Sequence, residues 1–330
     1  MPPRTPQISA RARQLHESAI IIDGMCNSRL SGDYLDSLRK AGLTCTMVPV
    51  SISASFRQTV RQLCDVWNLL EKNQDKALIV THADDVIRAK REGKIGLVLA
   101  LEDTKQIEDD PDLLEVFHKL GIRRMQITYT TQNSVGCGKG DREGHDSGLS
   151  AFGVQVIKRM EEVGILIDLC HPADRTLAEA FEVLTKPAIF SHTNTRAVFQ
   201  YHGNLTDQQL RTAKKKGCVV CIAAGGGLAS EGDRTLDKLV DHIDHARDLI
   251  GINSIGIGLT LFEGQDPSFT QAIKLPERYG QWPRPLPKDV SFARYPFITE
   301  RLLQRGYPEA AIKSILGENV LDLFRKVWDE

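Results

Sequence analysis

Short apolar runs alternate with longer amphipathic segments along the whole chain. The runs are rich in β-branched residues and almost continuously hydrophobic, which is typical of parallel strands that are buried on both faces. Eight runs have this character: 19–23, 44–50, 95–101, 124–128, 165–169, 188–191, 218–223 and 255–259. The main helical patterns cover 56–73, 83–92, 112–120, 153–163, 174–185, 207–216, 236–250, 293–305 and 308–328. The chain is therefore predicted to alternate strands with helices.

Several of the predicted helices end at a glycine just before the next strand. These glycines are Gly42, Gly121, Gly164, Gly217 and Gly251. A glycine in this place commonly adopts the left-handed conformation that ends a helix. We therefore expect a positive φ at these positions.

Eight strands with intervening helices in about 260 residues match the size of a (β/α)8 TIM barrel, which is the α/β fold that we predict. The main rival is a doubly wound open sheet, which usually has fewer strands and a glycine-rich first turn. The first turn here reads DGMCN, without a GxGxxG pattern. We expect a single domain over residues 1–330, with 264–330 as a C-terminal loop and extra helices that close or cover the barrel. The proline-rich stretch 264–290 is either a closing tail or a lid over the pocket.

The charge of the chain is almost balanced. Its 330 residues include 42 Lys and Arg against 43 Asp and Glu, which gives a formal net charge of −1. This balance argues against a protein that binds nucleic acid or a membrane surface through bulk positive charge. No run reaches the roughly 20 apolar residues that a membrane span needs. Seven cysteines without a secretion signal predict reduced thiols and a cytoplasmic protein.

Three potential metal ligands stand where predicted strands end. Glu102 follows the third run, His171 the fifth and His192 the sixth. The carboxyl ends of barrel strands meet at one rim, and one carboxylate with two neutral imidazoles suits zinc, iron, manganese or nickel. A single histidine at a strand end is more often structural than a ligand, so spacing alone leaves the metal site open. His242 and His245, on a predicted outer helix, are expected to cap it or to pair with acids.

At these residues the chain resembles the membrane (renal) dipeptidase family, peptidase family M19 of the amidohydrolase superfamily. LIDLCHPAD at 166–174 resembles the family's LIDLSHVSD, and AIFSHTNTRA at 188–197 resembles VIFSHSSARA. Further similar stretches are GLSAFG at 148–153, GNLTDQQL at 203–210 and DHIDHARDLIGINSIGIG at 241–258, and TYTTQNSVGCG at 128–138 resembles a bacterial branch. The resemblance covers nearly the whole chain and implies a metal-dependent hydrolase on a TIM barrel, a dipeptidase or metalloprotease in its activity.

The resemblance implies a site with two zinc ions. In the family, the His and Asp of an HxD motif on the first strand hold one ion, a Glu on the third strand bridges both, and the His residues of the fifth and sixth strands hold the other. Glu102 matches the bridging Glu, and His171 and His192 match the two His. The ligands of the second ion are therefore all present.

Other positions depart from the family pattern. The HxD positions hold Met25 and Asn27, and the proton-transferring Asp of the eighth strand is replaced by Thr260. The family's His on the fourth strand falls at Tyr129, and its Arg for the substrate carboxylate falls at Gly203. A thioether and an amide are poor zinc donors, so the first ion's site is expected to be lost and one zinc ion to remain.

Four further residues are candidates for binding the substrate or for catalysis beside the expected zinc ion. Tyr129, Asn27 and Thr260 are the candidates for binding a small-molecule substrate. Thr260 cannot accept the proton of a water at neutral pH. Tyr129 and Glu263 are the candidates for catalysis, and Glu263 or Asp23 could replace the lost base only if it reached within about 3 Å of the water.

Three functions fit this pattern. The first is a mononuclear hydrolase that cleaves an amide or dipeptide-like small molecule. The second is a lyase, isomerase or tailoring enzyme on the same scaffold. The third is a non-catalytic, metal-free binding protein, although neutral decay would be expected to erode both metal sites alike. The family resemblance further implies a homodimer.

Overall fold

The computed structural model describes residues 8–141, 144–225, 227–230, 233–265 and 290–329. Its strands are β1 Ile22–Asp23, β2 Cys45–Ile52, β3 Ala77–Ile79, β4 Ile95–Glu102, β5 Ile122–Gln126, β6 Leu166–Asp168, β7 Ile189–Thr193, β8 Val219–Ile222 and β9 Ile255–Ile257. The helices before the barrel closes are α1 Ala10–Ser18, α2 Gly32–Lys40, α3 Phe56–Glu71, α4 Ala83–Glu92, α5 Leu113–Lys119, α6 Ala151–Val163, α7 Asp174–Val183, α8 Asp207–Lys215 and α9 Leu236–Ile250. After β9 follow α10 Tyr295–Gln304, α11 Glu309–Lys313 and α12 Asn319–Trp328.

The strands form a closed parallel barrel, which confirms the predicted (β/α)8 fold. Each strand pairs with the next around the ring, and β1 pairs with both β2 and β9. The ring passes from β2 directly to β4, because β3 pairs only with the first residues of β4. The sequence missed β3, a run of three residues that is too short to carry a periodic signal. Each of the eight predicted runs overlaps a strand of the ring.

The glycines that were predicted to end helices have positive φ. Gly42, Gly121, Gly164, Gly217 and Gly251 have φ between 72° and 94°. An L-residue with a Cβ is strained in this region, whereas glycine is not. The predicted positive φ is therefore confirmed. Gly164 has the left-handed helical conformation, whereas Gly251, with a ψ of 165°, lies outside it.

The interior of the barrel is packed too closely for larger side chains at two glycines. A methyl group on Gly24 or on Gly258 would overlap the carbonyl oxygen of Ser191 on β7. Gly24 and Gly258 follow β1 and β9, so the backbones of these strand ends approach the residue that precedes His192.

The last helix closes the amino end of the barrel. The side chain of Asn319 donates hydrogen bonds to the carbonyls of Ile252 and Ile255, at 2.7 and 2.8 Å. Val320 and Phe324 pack in one buried cluster with the first residues of several strands, among them Ile22 and Leu166. The strands' carboxyl ends, where Glu102 lies, are at the opposite end. Of the segment 264–290, the residues 266–289 lie outside the described residues.

Among the residues that the structure describes, no helix combines the length and the apolar character that crossing a membrane requires.

Candidate metal centre

Six of the seven predicted site residues line one cavity at the carboxyl end of the barrel. The cavity has a volume of about 90 Å³. The predicted residues in its wall are Asn27, Glu102, Tyr129, His171, His192 and Thr260. They come from the ends of β1, β4, β5, β6, β7 and β9, which the parallel barrel brings to one rim.

The two histidines face each other across this cavity. Their Nε2 atoms are 3.1 Å apart. Two nitrogens that bind one tetrahedral zinc ion at about 2.0–2.1 Å would lie about 3.3 Å apart. The observed separation therefore suits two ligands of a single ion.

A chain of hydrogen bonds orients His192. The hydroxyl of Ser191 donates to Oδ2 of Asp168 at 2.6 Å, so it must accept the proton on Nδ1 of His192, which is 2.8 Å away. This places the lone pair of His192 on Nε2, the atom that faces the cavity. A partner on the far nitrogen is the usual way in which proteins orient a metal-binding imidazole.

Glu102 is buried in the wall of the cavity, and its carboxylate is incompletely hydrogen-bonded. It is 1% exposed, and its buried Oε1 has no hydrogen-bond partner among the described residues. Burial raises the pKa of this carboxyl to about 7, although the positive charge of Arg124 opposes the rise. A buried carboxylate oxygen without a partner is costly, and a bound cation would compensate it. By residue type, this carboxylate and the two imidazoles suit zinc, but the ligand atoms of the three residues do not all lie within 4.8 Å of one another, so Glu102 would have to move towards the imidazoles to share an ion with them.

Another group of donors lies closer together but does not fit a metal. Among the described residues, the ligand atoms of Asp168, Cys170 and His192 lie within 4.8 Å of one another. Asp168 is already paired with the buried guanidinium of Arg124. Burial raises the pKa of the Cys170 thiol well above its usual value, and Nδ1 of His192 carries a proton on this side. The group therefore supports His192 and offers no set of free lone pairs.

Arg124 places a fixed positive charge inside the barrel. It is fully buried, donates to Ser191 at 3.0 Å and has its Nη2 3.8 Å from the sulfur of Met25. Burial alone would raise the pKa of Asp168, but the guanidinium outweighs it and holds that pKa at about 2. The pair is therefore charged at neutral pH.

Thr260, in the wall of the cavity, has a strained backbone conformation. Its φ is 56°, in the left-handed region that β-branched residues rarely adopt. Its hydroxyl donates to the carbonyl of Gly258 at 3.2 Å, and its backbone N–H donates to the carbonyl of Met25 at 3.0 Å. Such strain is often found at functional sites.

The two carboxylates considered as replacement bases lie elsewhere. Glu263 does not line the cavity; its carboxylate accepts a hydrogen bond from the hydroxyl of Tyr34 at 2.9 Å. Asp23 is fully buried, and its carboxylate accepts from the N–H groups of Met25 and Leu259, both at 3.0 Å. Among the described residues of the cavity wall, Glu102 is the one carboxylate.

A larger cavity adjoins the metal centre. It has a volume of about 440 Å³, within the usual range of small-molecule sites. Asn27, Tyr129 and Thr130 line both cavities. A substrate could therefore extend from the histidines into this second space.

Sequence reasoning missed two charged residues of the site. Arg124 stands within an apolar strand run, and a charge in such a run signals a buried ion pair. Lys139 lies in the glycine-rich segment GCGKG, between Gly138 and Gly140, and lines the cavity. Nothing in a single sequence indicates which rim loop Lys139 would reach.

The sequence matches the family model of membrane dipeptidases, peptidase family M19, over residues 34–329. Dipeptidase tcpJ of Claviceps purpurea (strain 20.1) is 28% identical over 278 residues, which are 84% of this chain and 61% of that protein. Dipeptidase 3 of Mus musculus is 30% identical over 273 residues, which are 81% of this chain and 50% of that protein. The chain thus spans only about half to three-fifths of the length of these relatives.

The fold also matches a solved structure closely. An amidohydrolase from Pseudomonas aeruginosa superposes with a TM-score of 0.91 and 29% sequence identity, over 97% of this chain and 99% of that one.

Proposed function

Because the chain belongs to the membrane dipeptidase family, peptidase family M19, we propose that it is a metal-dependent hydrolase with a single zinc ion that cleaves an amide or dipeptide-like small molecule. The observation that carries this proposal is the pair of imidazole nitrogens, 3.1 Å apart, in a cavity whose wall also holds a buried carboxylate oxygen without a hydrogen-bond partner among the described residues. Glu102, His171 and His192 would hold the ion. When bound, zinc lowers the pKa of a water and polarises a carbonyl group.

The remaining wall residues would bind and orient the substrate. The ring of Tyr129 packs against His171 with 4.8 Å between centroids and faces both cavities. Oδ1 of Asn27 is buried without a hydrogen-bond partner among the described residues, so it can accept an N–H of the substrate. Both residues lie where the small cavity meets the larger one, so they would fix how the substrate enters.

The charge inside the barrel supports one ion rather than two. Met25 and Asn27, at the HxD positions, offer a thioether and an amide in place of an imidazole and a carboxylate. The guanidinium of Arg124 lies next to the sulfur of Met25. Like charges repel strongly in a buried environment, so a second divalent cation is disfavoured there.

The metal content of the protein tests this proposal. After removal of metal and addition of zinc, we expect about one zinc ion per chain, and release of amine from a panel of dipeptides. Glu102→Gln, His171→Ala and His192→Ala should each lower the bound zinc below about 0.2 equivalents. His245→Ala is the matched control, because its imidazole pairs with Asp207 on the outer face of the barrel. A native chain that takes up less than about 0.2 equivalents of offered zinc would exclude the proposal.

A second candidate is a lyase or isomerase on the same rim, because Thr260 stands where the family has its proton-transferring Asp. No second carboxylate lines the described cavity wall, and Glu263 is held by Tyr34. A hydrolase must pass the proton of a water to the leaving group, whereas the lyase or isomerase of this second candidate polarises its substrate without activating water. A turnover in water labelled with heavy oxygen distinguishes the two, because only hydrolysis transfers the label to a product.

We also propose that the protein acts in the cytoplasm as a homodimer. Its seven cysteines are unpaired and six of them are buried, which fits a reducing compartment. The dimer rests on the family resemblance, and light scattering of the purified protein would test it.

A further inference from the structure

Lys139 is a buried cation in the wall of the metal centre. Its side chain lines the same cavity as Glu102, His171 and His192, and the residue is 5% exposed. Its backbone N–H donates to the carbonyl of His171 at 2.8 Å, so the loop that carries it is attached directly to the rim. The ammonium group donates to the carbonyl of Gly203 at 2.9 Å.

Among the described residues, no acidic side chain forms an ion pair with Lys139. A lysine ammonium has three donors, and only the bond to Gly203 uses one. Among the described residues, no carboxylate lies within the 4.0 Å of an ion pair with Nζ of Lys139. The nearest acid in electrostatic effect is Asp174, whose oxygens already accept from Gln209 at 2.8 Å and from Arg196 at 3.3 Å.

An unmatched buried ammonium is unfavourable for the folded protein by itself. Burial lowers the pKa of Lys139 to about 8, which is the usual response of a lysine that loses its hydration. An anion from outside would fill the two remaining donors and restore the balance of charge. The cavity that Lys139 lines together with the two histidines has space for such an anion.

We propose that Lys139 binds an anionic group of the substrate, a carboxylate, in the wall of the metal centre beside Gly203. Lys139 is then a specificity-determining residue: it selects substrates that carry a negative charge a short distance from the bond at the histidines. The inference that the anion belongs to a substrate rests on the proposed function, whereas the binding of a carboxylate by Lys139 can be measured without turnover.

Binding of two matched probes tests this. N-acetylalanine and N-acetylalaninamide have the same size and differ by one negative charge, and isothermal titration is carried out with the zinc-loaded and the metal-free protein. The native protein should bind the carboxylate at least about tenfold more tightly than the amide in both forms. Lys139→Gln should lower the ratio of the affinities for the carboxylate and the amide about tenfold. Lys139→Arg, which keeps the positive charge, should retain most of the native ratio.

The controls separate charge at this site from other effects. Lys215→Gln removes a positive charge from an exposed position on α8 and should leave the ratio unchanged. Lys139→Met keeps the length of the side chain and replaces the glutamine variant if that one does not fold. A structural role alone would change stability but would not change the preference for the carboxylate.

The outcomes also separate this inference from the proposed function. If the carboxylate preference depends on Lys139 but no dipeptide is hydrolysed, the inference holds and the hydrolase proposal fails. If dipeptides are hydrolysed while Lys139→Gln keeps the ratio, Lys139 is not the carboxylate site. Equal binding of the two probes by the native protein would also overturn the inference.

Discussion

The orientation of His192 depends on residues that never reach the cavity. Ser191 bonds to the histidine, Asp168 bonds to Ser191, and Arg124 holds Asp168. The arrangement is stable only while both charges of the buried pair are present, because a lone buried charge is expensive. We therefore expect the ion pair to matter both for stability and for the metal centre.

Substitution of Asp168 tests this at the residue scale. Asp168→Asn leaves the buried guanidinium of Arg124 uncompensated and should lower the free energy of unfolding by about 3–5 kcal/mol. It should also weaken zinc binding, because the partner that fixes the proton of His192 is changed. Urea denaturation and zinc titration measure the two effects.

The surface pair of Asp322 with Arg325, at 2.8 Å, provides the matched control. Both side chains are about half exposed, so Asp322→Asn should cost less than about 1 kcal/mol. A loss for Asp168→Asn as small as that of the control would show that Arg124 does not need its partner.

At the scale of elements, α9 is attached to the rim loops by a histidine. His242 is fully buried; its Nδ1 accepts from the N–H of Thr195 at 3.1 Å, and its Nε2 donates to the carbonyl of Leu228 at 2.8 Å. We expected His242 to cap its helix or to pair with acids, but the structure buries it against the loops after β7 and β8, where it bonds to Thr195 and Leu228. Its neighbour His245 does pair with an acid, Asp207.

Stability should therefore depend on pH through His242. Burial lowers its pKa to about 4, whereas an unfolded histidine titrates near 6.5. Between these values only the unfolded chain takes up the proton, so stability is complete above pH 6.5 and is lost as the pH falls towards 4. The loss for this group amounts to about 3 kcal/mol.

Comparison of denaturation at about pH 7.5 and about pH 4.5 in the native chain and in His242→Gln measures this contribution. The variant should lose less stability on acidification than the native chain. Ile243→Val, in the same helix, controls for a general weakening because it removes no titrating group. An unchanged pH dependence in His242→Gln would contradict the assignment.

At the scale of the whole molecule, one end of the barrel carries the candidate metal centre and the other end is closed by a helix. The carboxyl ends of the strands carry the metal centre, and α12 covers the amino ends with Val320 and Phe324. Each end has its own contacts, so damage to the closing helix should not disturb the geometry of the ligands. Stability and metal binding can then be separated.

Phe324→Ala tests this separation. The phenyl ring is fully buried and stacks on Trp328 with 4.0 Å between centroids. Its removal should lower the free energy of unfolding by about 3–5 kcal/mol while the folded protein still binds about one zinc ion. Lys326→Ala, at an exposed position of α12, should change neither quantity. A variant of Phe324 that folds but no longer binds zinc would show that the two ends are coupled.

Much of the fold could be predicted because its signals are local. Eight strand runs, most of the helices between them and the positive φ of Gly42 or Gly164 follow from neighbouring residues and from steric limits on the backbone, although α2 was not among the predicted helices. The short β3 could not be found in this way, because three residues carry no period. The places of Asn27, Glu102, Tyr129, His171, His192 and Thr260 at one rim follow from the rule that parallel barrel strands end on the same side.

The amino-acid sequence by itself determined the barrel, the family and the candidate ligands. Hydrophobic periodicity, helix caps and strand ends can be recognised from residues that are close together in the sequence. Only the tertiary structure decided that Glu263 turns to Tyr34, that Arg124 pairs with Asp168 below His192, and that the ammonium of Lys139 enters the wall of the cavity. These contacts join residues that are distant in sequence, and their energies come from burial and charge, which exist only once the strands have closed into a ring.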